Sequence, residues 1–229
     1  KTSNLAAKSF GNGDIFIEKF ITNARHIEIQ VFGFGAKGSV HLFERDCSMQ
    51  RRYQKIIEES PAPEVDRELI NNMAQAAVKL SSDVNYEGAG TVEFIYDVQE
   101  MKYYFLEMNT RIQVEHPVTE LVTNNDLISM QINFAFNRKN KFLNQNKIKT
   151  YGHSIECRVY AEDPSQNFLP SPGKITKLKF PKIPNGIRLD WGYDERDEVS
   201  FYYDPMIGKI ISHGLIRDDA ISKLIKFLE

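Results

Sequence analysis

The first half of the chain alternates polar and apolar residues in short runs, a pattern that predicts strands. Residues 26–32 alternate cleanly, turn through the glycines of 33–38 and return at 39–44, which predicts a hairpin with a longer loop. A second pair of strands is predicted at 90–96 and 103–109. The first half is therefore expected to be built on a sheet.

Two other stretches of this half have weaker patterns. The glycine-rich turn at 11–14 is followed by an apolar run, which predicts a further strand at 15–20. Residues 45–59 are charged and lack a regular period, so they are predicted to be an irregular segment. Its basic part, residues 45–55, is expected to form a loop that gathers anions, or else a solvated surface loop.

Helices are predicted where apolar residues recur at helical spacing. Pro63 opens one such stretch, with acids in its first turn. Its apolar positions are Val65, Leu69, Met73, Ala76, Ala77 and Leu80. Asp126 can cap a second helix that runs to about residue 136. A third helix is predicted at 218–228.

The second half begins after a segment rich in lysine and asparagine, residues 137–150, which is predicted to be a linker. Short strands broken by proline and glycine follow at 154–160 and 173–178, and residues 199–211 resemble a hairpin.

The elements together predict an α+β chain with a larger domain at residues 1–140 and a smaller one at 150–229. No internal repeat is evident. The chain starts without a methionine in a helix-like stretch, and it stops inside the last predicted helix. We therefore expect it to be part of a longer polypeptide.

The densest group of reactive side chains lies in EMNTRIQVEHP, residues 107–117. If this segment is extended, its side chains alternate between two faces. Five polar groups then share one face: Glu107, Asn109, Arg111, Gln113 and Glu115. A surface strand would also alternate, but five different functional groups in one row indicate a reaction site.

Two acids are predicted to lie on neighbouring strands. Glu93 is in the middle of one strand and Glu107 ends its partner, with Asn109 two residues farther on. A carboxylate inside a sheet is costly unless it is paired or binds a metal. These oxygen ligands suit Mg²⁺, which prefers one or two carboxylates together with substrate phosphates. The alternative is an acid paired with a lysine on a solvated face.

Other polar residues carry less specific signals. Glu18 and Lys19 interrupt an apolar run whose backbone could hydrogen-bond an adenine edge, although edge strands often carry such pairs. His26 and His116 lack metal-ligand spacing with other histidines or cysteines, and both are interpreted as hydrogen-bonding residues.

The composition excludes several classes of protein. The 229 residues include 41% hydrophobic and 26% charged residues, which are ordinary values for a globular chain. A net charge of −2 argues against a general nucleic-acid binder. The two cysteines are too few for a disulfide framework, and no apolar run is long enough to cross a bilayer. We expect a soluble protein of a reducing compartment.

Several motifs, taken together, resemble the biotin carboxylase component of biotin-dependent carboxylases. They run in the expected order from about residue 15 to the end of the chain. Besides residues 107–117, they are IEKF (17–20), RHIEIQ (25–30), ERDCSMQRR (44–52), GAGTVEF (88–94), ECRVYAEDP (156–164), FLPSPG (168–173) and YDPMIGK (203–209). The resemblance implies an ATP-grasp domain followed by the C-terminal subdomain of a biotin carboxylase.

The resemblance also implies a reaction, in which ATP activates bicarbonate to carboxyphosphate and the carboxyl group passes to N1′ of biotin on a carrier domain. It assigns Mg²⁺ (or Mn²⁺) to Glu93, Glu107 and Asn109. It assigns the nucleotide to Glu18, Lys19, the Ile21 backbone, His26, Gln50 and Ile95. It assigns bicarbonate to Lys55, Arg111, Gln113 and the Val114 amide. Glu115 would be the base that deprotonates bicarbonate, and Arg158 would stabilise the biotin enolate.

The resemblance is incomplete at two places. Tyr53 stands where many members of the family carry His or Asn, so no role is assigned to it. The glycine-rich lid of the family would precede Lys1, so the 229 residues alone are expected to be inactive. The implied partners are bicarbonate, a biotin carboxyl carrier domain, a carboxyltransferase subunit and further copies of the chain, with no nucleic acid and no membrane. The acyl-CoA acceptor is selected by a different domain.

Two alternatives stay open from the sequence. Another ATP-grasp ligase, such as half of a carbamoyl-phosphate synthetase, would share the acid pair but is not expected to carry residues 111–117. A non-catalytic fragment could bind nucleotide or contribute an oligomer interface without turnover. The expected location is the cytoplasm of a bacterium or the mitochondrial matrix of a eukaryote.

Overall fold

A computed structural model describes residues 1–136 and 144–229 of the protein. The helices are α1 (Thr2–Phe10), α2 (Arg67–Asp83), α3 (His116–Thr123), α4 (Leu127–Ala135) and α5 (Arg217–Leu228). The first strands are β1 (Ala24–Phe34), β2 (Ser39–Arg51), β3 (Gln54–Ser60), β4 (Glu87–Asp97), β5 (Lys102–Asn109) and β6 (His153–Tyr160). The remaining strands are β7 (Glu162–Asp163), β8 (Leu169–Pro170), β9 (Gly173–Lys174), β10 (Ile187–Trp191), β11 (Glu198–Val199) and β12 (Met206–Gly214).

Eight strands form one antiparallel sheet in the order β10-β12-β6-β3-β2-β1-β4-β5. Strands from both halves of the chain meet where β3 pairs with β6, with Glu58 opposite Glu156. Side chains of both halves can therefore project from the same face of the sheet.

The two faces of β1 are occupied differently. Ile27, Ile29 and Val31 are fully buried in an apolar cluster with α2. This helix begins at Arg67, because the side chain of Asp66 caps it: the Asp66 carboxylate accepts a hydrogen bond from the backbone amide of Leu69. The opposite face of β1 carries Glu28 and Gln30, which are also fully buried. A strand that buries acids on one face needs compensating donors there, and these donors form the site described below.

Many of the predicted elements are confirmed. The strands at 26–32, 39–44, 90–96, 103–109 and 154–160 are present, each somewhat longer than predicted. The helix capped by Asp126 and the C-terminal helix are also present, and the Asp126 carboxylate accepts the amide of Ser129. The prediction missed α3, which begins within the polar segment at residues 107–117.

Other local predictions were wrong. Residues 15–20 form no strand, and Phe16, Ile17 and Phe20 are exposed, so an apolar run alone did not define a strand here. Residues 45–59 are not irregular, because β2 continues to Arg51 and β3 begins at Gln54. Register shifts in the pairing of β2 with β3 had hidden their alternation.

The second half differs from its prediction in detail. Residues 199–211 do not form a hairpin, since β12 pairs with β10 and β6 instead. The strand predicted at 173–178 is limited to Gly173–Lys174. The helix opened by Pro63 starts four residues later, because the Asp66 side chain caps it.

The predicted linker at 137–150 lies partly outside the described residues, at 137–143. Its second part packs against the first half of the chain. Gln145 exchanges two side-chain hydrogen bonds with the His41 backbone, of 2.9 and 3.1 Å, and Ile148 is buried. The division into domains at 1–140 and 150–229 stays a prediction. Within the part of the chain that is described, no helix is both long and apolar enough to cross a membrane.

Candidate active site

A row of charged side chains crosses four strands of the sheet. Glu28 on β1 lies opposite Arg45 on β2 and opposite Glu93 on β4, and Glu93 in turn lies opposite Glu107 on β5. Register partners project from the same face of a sheet. Three glutamates on adjacent strands therefore stand in one line, and only cations can hold such a line together.

Arg45 supplies one of those cations from inside the protein. Its guanidinium is fully buried and donates to Glu28, its register partner on β1. The other acceptors are Gln30 Oε1 at 2.7 Å, Thr119 Oγ1 at 2.9 Å, Thr91 Oγ1 at 3.1 Å and Gln113 Oε1 at 3.1 Å. The acceptors Glu28, Gln30 and Thr91 lie on β1 and β4, which form the floor of the site. Gln113 and Thr119 lie in the loop before α3 and in α3 itself, so Arg45 joins the floor to this second segment.

Lys55 supplies the second cation. Its Nζ lies 2.6 Å from Glu28 Oε2, 3.1 Å from Glu93 Oε1 and 2.6 Å from Glu115 Oε1. Burial alone would lower the pKa of Lys55, but the facing carboxylates, Glu28 foremost, outweigh burial and raise the pKa above its usual range. The ammonium group is therefore permanently charged at neutral pH.

Glu93 has polar partners on three sides. Its Oε1 accepts from Asn109 Nδ2 at 3.0 Å and from Gln113 Nε2 at 2.7 Å, and its Oε2 lies 2.8 Å from His26 Nε2. Burial would raise the pKa of Glu93, but the His26 contact and the Lys55 charge lower it to about 2. Glu93 is thus an anion, although it is buried in a central strand.

Asn109 links the two predicted metal ligands. Its Nδ2 lies 3.0 Å from Glu93 Oε1 and 3.1 Å from Glu107 Oε1, between the carboxylates of β4 and β5. Glu107 is exposed, and Glu93 is buried. Two carboxylates on adjacent strands at a cavity are hard oxygen ligands of the kind that Mg²⁺ prefers, and in this arrangement the Asn109 amide nitrogen donates to both of them.

Glu115 stands at the start of α3, as its N-cap residue. Its Oε1 accepts from Lys55 and its Oε2 accepts from Arg158 Nη2 at 3.0 Å. Arg158 Nε donates to Glu58 Oε1 at 2.6 Å, so the guanidinium bridges two carboxylates. Facing carboxylates, Glu58 foremost, raise the pKa of Arg158 against the effect of burial. Glu115 is therefore held between two fixed cations.

These groups surround a cavity of about 350 Å³. Its lining includes most of the residues that the sequence singled out: His26, Gln50, Lys55, Glu93, Glu107, Asn109, Arg111, Gln113, Val114, Glu115 and Arg158. Tyr53, Gln54, Tyr160 and Asp204 complete the lining. The structure thus gathers residues from both halves of the chain into one polar cavity.

The comparisons with known proteins agree with this geometry. Residues 1–142 match the family described as Carbamoyl-phosphate synthase L chain, ATP binding domain, and residues 156–229 match the Biotin carboxylase C-terminal domain. Biotin carboxylase 1 of Bacillus subtilis is 50% identical over 99% of this chain and 50% of its own length. The chain belongs to the biotin carboxylase family. The C-terminal match distinguishes it from a carbamoyl-phosphate synthetase half.

Two further biotin carboxylase relatives are similar over nearly the whole chain. The mitochondrial methylcrotonoyl-CoA carboxylase subunit alpha of Rattus norvegicus is 49% identical over 96% of this chain and 30% of its own. The biotin carboxylase domain dimer of Hydrogenobacter thermophilus 2-oxoglutarate carboxylase, solved with MgADP, ADP and bicarbonate, superposes with a TM-score of 0.92 at 41% identity. That match covers 99% of this chain and 49% of that one. The chain spans about half the length of the biotin carboxylase relatives, or less.

The polar segment at residues 107–117 is not one extended strand. β5 ends at Asn109, and Glu115 already caps a helix, so the predicted single row from 107 to 115 is wrong beyond Asn109. Its residues still converge, because the chain turns between β5 and α3 and brings Gln113 and Glu115 over the sheet. Arg111 is exposed and donates to the Ile112 carbonyl at 3.1 Å.

Four of the predicted nucleotide-binding residues lie away from the cavity lining. Glu18, Lys19 and Ile21 belong to the segment before β1, and Ile95 lies opposite His26 in the sheet. Lys19 Nζ donates to Glu100 Oε1 at 2.9 Å and to Tyr104 OH at 3.2 Å. The Glu100 and Tyr104 contacts raise the pKa of Lys19 to about 12. This group lies at the turn end of β4 and β5.

Four residues that hold the site together were given no individual role from the sequence, and Arg45 among them was expected only as part of an anion-gathering loop: Glu28, Arg45, Glu58 and Lys209. Lys209 donates to the Val114 carbonyl, and Glu58 is a partner of Arg158. Strand alternation could have indicated Glu28, because it is charged between the apolar residues Ile27 and Ile29. Glu58 and Lys209 gave no such local signal.

Proposed function

We propose that this chain contributes much of the active site of a biotin carboxylase, which uses ATP and bicarbonate to carboxylate biotin on a carrier domain. One observation carries the proposal: the Glu115 carboxylate lies between Lys55 Nζ and Arg158 Nη2, at 2.6 and 3.0 Å, in the cavity that also contains the Glu93 and Glu107 pair. A base, two cations and a metal-ligand set are then adjacent.

The acid pair is the proposed place for Mg²⁺ or Mn²⁺. Glu93 and Glu107 would hold the ion, with Asn109 assisting once its amide oxygen turns toward the ion. Such an ion, when bound, neutralises charge on phosphate oxygens during phosphoryl transfer. That the Hydrogenobacter thermophilus domain was solved with MgADP supports this placement.

Bicarbonate would bind between the cations above the sheet. Lys55 and Arg111 offer positive charge, and the Val114 amide and Gln113 offer hydrogen bonds. Gln113 Oε1 already accepts from Arg45 and its Nε2 donates to Glu93, so only the second hydrogen of that amide remains for bicarbonate. The same relative was solved with bicarbonate, which supports an anion at this position.

Glu115 would accept the proton of bicarbonate. The Lys55 ammonium group and the Arg158 guanidinium hold the Glu115 carboxylate at the cavity, where its oxygens can reach a bound bicarbonate. The deprotonated bicarbonate oxygen would attack the γ-phosphorus of ATP, ADP would leave, and carboxyphosphate would form. Lys55 and Arg111 would stabilise the charge that develops on the oxygens.

Arg158 would act in the second step. When the N1′ proton of biotin leaves, negative charge develops on the ureido oxygen, and a guanidinium at the cavity wall stabilises it. Arg158 is fixed for that purpose by Glu58 on one side and Glu115 on the other. N1′ then attacks the carboxyl carbon of carboxyphosphate, the bond from that carbon to the bridging oxygen breaks, and the phosphate that leaves takes up the N1′ proton.

The nucleotide base is proposed to bind along the ends of β1 and β4. His26 Nδ1 lies 3.1 Å from Gln50 Nε2 at the cavity, and Ile95 pairs with His26 in the sheet. Lys19, Glu18 and the Ile21 backbone would lie at the outer end of this path. The proposed partners are a biotin carboxyl carrier domain, a carboxyltransferase and further copies of the chain.

The test is bicarbonate-dependent ATP cleavage by the natural polypeptide that contains this chain. We expect the rate of phosphate release to need bicarbonate and to rise when free biotin is added. A rate of ATP cleavage that depends on neither bicarbonate nor biotin would contradict the proposal. Ammonia-dependent formation of carbamoyl phosphate would contradict it as well.

A further inference from the structure

Two buried glutamates face each other behind the active site. Glu58 on β3 and Glu156 on β6 are register partners, and both are fully buried. Direct neighbours on antiparallel strands hold their Cβ atoms about 4.5–5.5 Å apart. The two carboxyl groups are therefore within reach of each other and are shielded from water.

The hydrogen-bond partners do not suffice for two carboxylates. Arg158 Nε donates to Glu58 Oε1 at 2.6 Å. Among the described residues, Glu58 Oε2 and both oxygens of Glu156 have no hydrogen-bond partner. Lys209 Nζ is 4.0 Å from Glu156 Oε2, and it already donates to the Val114 carbonyl. An unpaired charge buried in this way is strongly unfavourable.

A single proton resolves this arrangement. An O–H from one carboxyl group to the other removes one buried charge and gives partners to two of the three bare oxygens. We infer that Glu58 and Glu156 share one proton at neutral pH and that the pair positions Arg158 through Glu58. The positioning role rests on the proposed function, whereas the shared proton does not.

The charges around the pair come from several elements. Arg158 on the same strand as Glu156 and Lys209 on β12 favour ionisation, whereas Glu115 on the loop before α3 and Glu28 on β1 oppose it. Burial is the largest influence: it raises the pKa of Glu58 to about 7, and it raises the pKa of Glu156 well above its usual range.

The shared proton would set how Arg158 divides its charge. With one proton present, the pair carries one negative charge, and Arg158 can hold Glu58 and Glu115 together. Loss of that proton would add a second negative charge behind Arg158 and draw the guanidinium away from the cavity. Biotin carboxylation should then decline at alkaline pH before bicarbonate-dependent ATP cleavage does, because Lys55 and Glu115 lie on the cavity side.

The first experiment measures the proton directly and does not depend on activity. Infrared spectra of the natural polypeptide at pH 7 should contain a carboxylic-acid carbonyl band that disappears in Glu156→Gln. Urea unfolding across pH gives a second measure. The unfolding equilibrium constant of the wild type, divided by that of Glu156→Gln, should rise up to about tenfold per pH unit between about pH 5 and pH 7.

The control is Glu198→Gln, which changes an exposed glutamate on β11. It should retain the infrared band and give a constant ratio of unfolding constants. If Glu156→Gln does not fold, the wild-type spectrum still decides the question. A wild type without a carboxylic-acid band at pH 7 would overturn the shared proton, whatever the enzyme assays show.

The second experiment tests the positioning role. Glu156→Gln resembles the protonated partner permanently, so its biotin carboxylation should persist to higher pH than that of the wild type. Glu58→Gln replaces the carboxylate that accepts from Arg158 Nε with a neutral amide, so the charge-assisted hydrogen bond is lost. This variant should lower kcat for biotin carboxylation about tenfold or more, with a smaller effect on biotin-independent ATP cleavage. Unchanged pH profiles in both variants would overturn the positioning role and leave the proposed function standing.

Discussion

Lys55 Nζ lies 2.6 Å from Glu115 Oε1 and equally close to Glu28 Oε2, so one ammonium group joins the proposed base to the charged floor of the sheet. Glu28 is fully buried, and its partners besides Lys55 include the buried Arg45. A bound bicarbonate would have to share Lys55 with these carboxylates. The Lys55 ammonium group therefore stabilises the buried carboxylates and also belongs to the proposed bicarbonate site.

Lys55→Gln should show both roles of this lysine. We expect bicarbonate-dependent ATP cleavage to fall about 10²–10³-fold, because a charged donor to the developing oxyanion is lost. We also expect the free energy of unfolding to fall by about 3–5 kcal/mol, because buried Glu28 loses a cation. Steady-state kinetics and urea unfolding measure the two effects. Lys102→Gln, at an exposed lysine, should change neither, and a fully stable and active Lys55→Gln would refute the assignment.

Glu107→Gln should weaken the binding of the metal–nucleotide complex. A carboxylate is a hard anionic ligand, and the amide that replaces it leaves too little charge opposite Glu93 for Mg²⁺. The Mg²⁺ concentration for half-maximal activity should rise at least about tenfold. Titration with Mg²⁺ at fixed ATP measures this shift. Glu87→Gln, an exposed acid at the start of β4, is the matched control. Near-normal metal dependence in Glu107→Gln would show that the ligands lie elsewhere.

Glu115→Gln and Arg158→Gln should differ in kind. Without the Glu115 base, bicarbonate keeps its proton, so both ATP cleavage and biotin carboxylation should stop. Without Arg158, much of the bicarbonate-dependent ATP cleavage should survive while carboxyl transfer to biotin falls sharply, since this guanidinium is assigned to the enolate. Parallel assays of phosphate release and carboxybiotin separate the two steps. Equal damage to both steps in both variants would remove this division of labour.

The sequence identified the side chains that line the cavity better than the path of the chain between them. The acid pair and the basic residues were visible because charged side chains interrupt apolar alternation, as Glu93 does in β4. The path from Asn109 to Glu115 could not be predicted. The chain turns there and α3 begins, and both features depend on long-range contacts such as the hydrogen bond from Arg45 to Gln113. Those contacts join residues 68 positions apart.

Long-range strand pairing also explains why the contact between the two halves of the chain was not predicted. Glu156 and Glu58 are 98 positions apart, and only the pairing of β3 with β6 makes them neighbours. Residues 45–59 were misjudged because shifts in strand register break the period that identifies strands. A prediction from local pattern finds single residues, whereas the sheet decides which of them meet.

Tyr53→Asn should stabilise the β2–β3 hairpin. Arg52 and Tyr53 form its two-residue turn, with φ values of 52° and 65°, a conformation that asparagine adopts more readily than tyrosine. Tyr53 is 99% exposed, so little burial is lost. The free energy of unfolding should rise by up to about 1 kcal/mol. Tyr202→Asn, at another exposed tyrosine, should give no increase, and a less stable Tyr53→Asn would show that the tyrosine makes compensating contacts.

Acid should destabilise the protein through the charged floor of the site. Burial would raise the pKa of Glu28, but Arg45 and Lys55 lower it to about 2, and the pKa of Glu93 is likewise lowered to about 2. A group with a lowered pKa stabilises the folded state above its unfolded pKa of about 4.3, and that contribution disappears as the pH falls toward 2. Urea unfolding should therefore show stability falling steeply between about pH 4.3 and pH 2. Glu93→Gln should flatten this slope, whereas Glu87→Gln should not; equal slopes in all three proteins would mean that Glu93 is not held as an anion by His26 and Lys55.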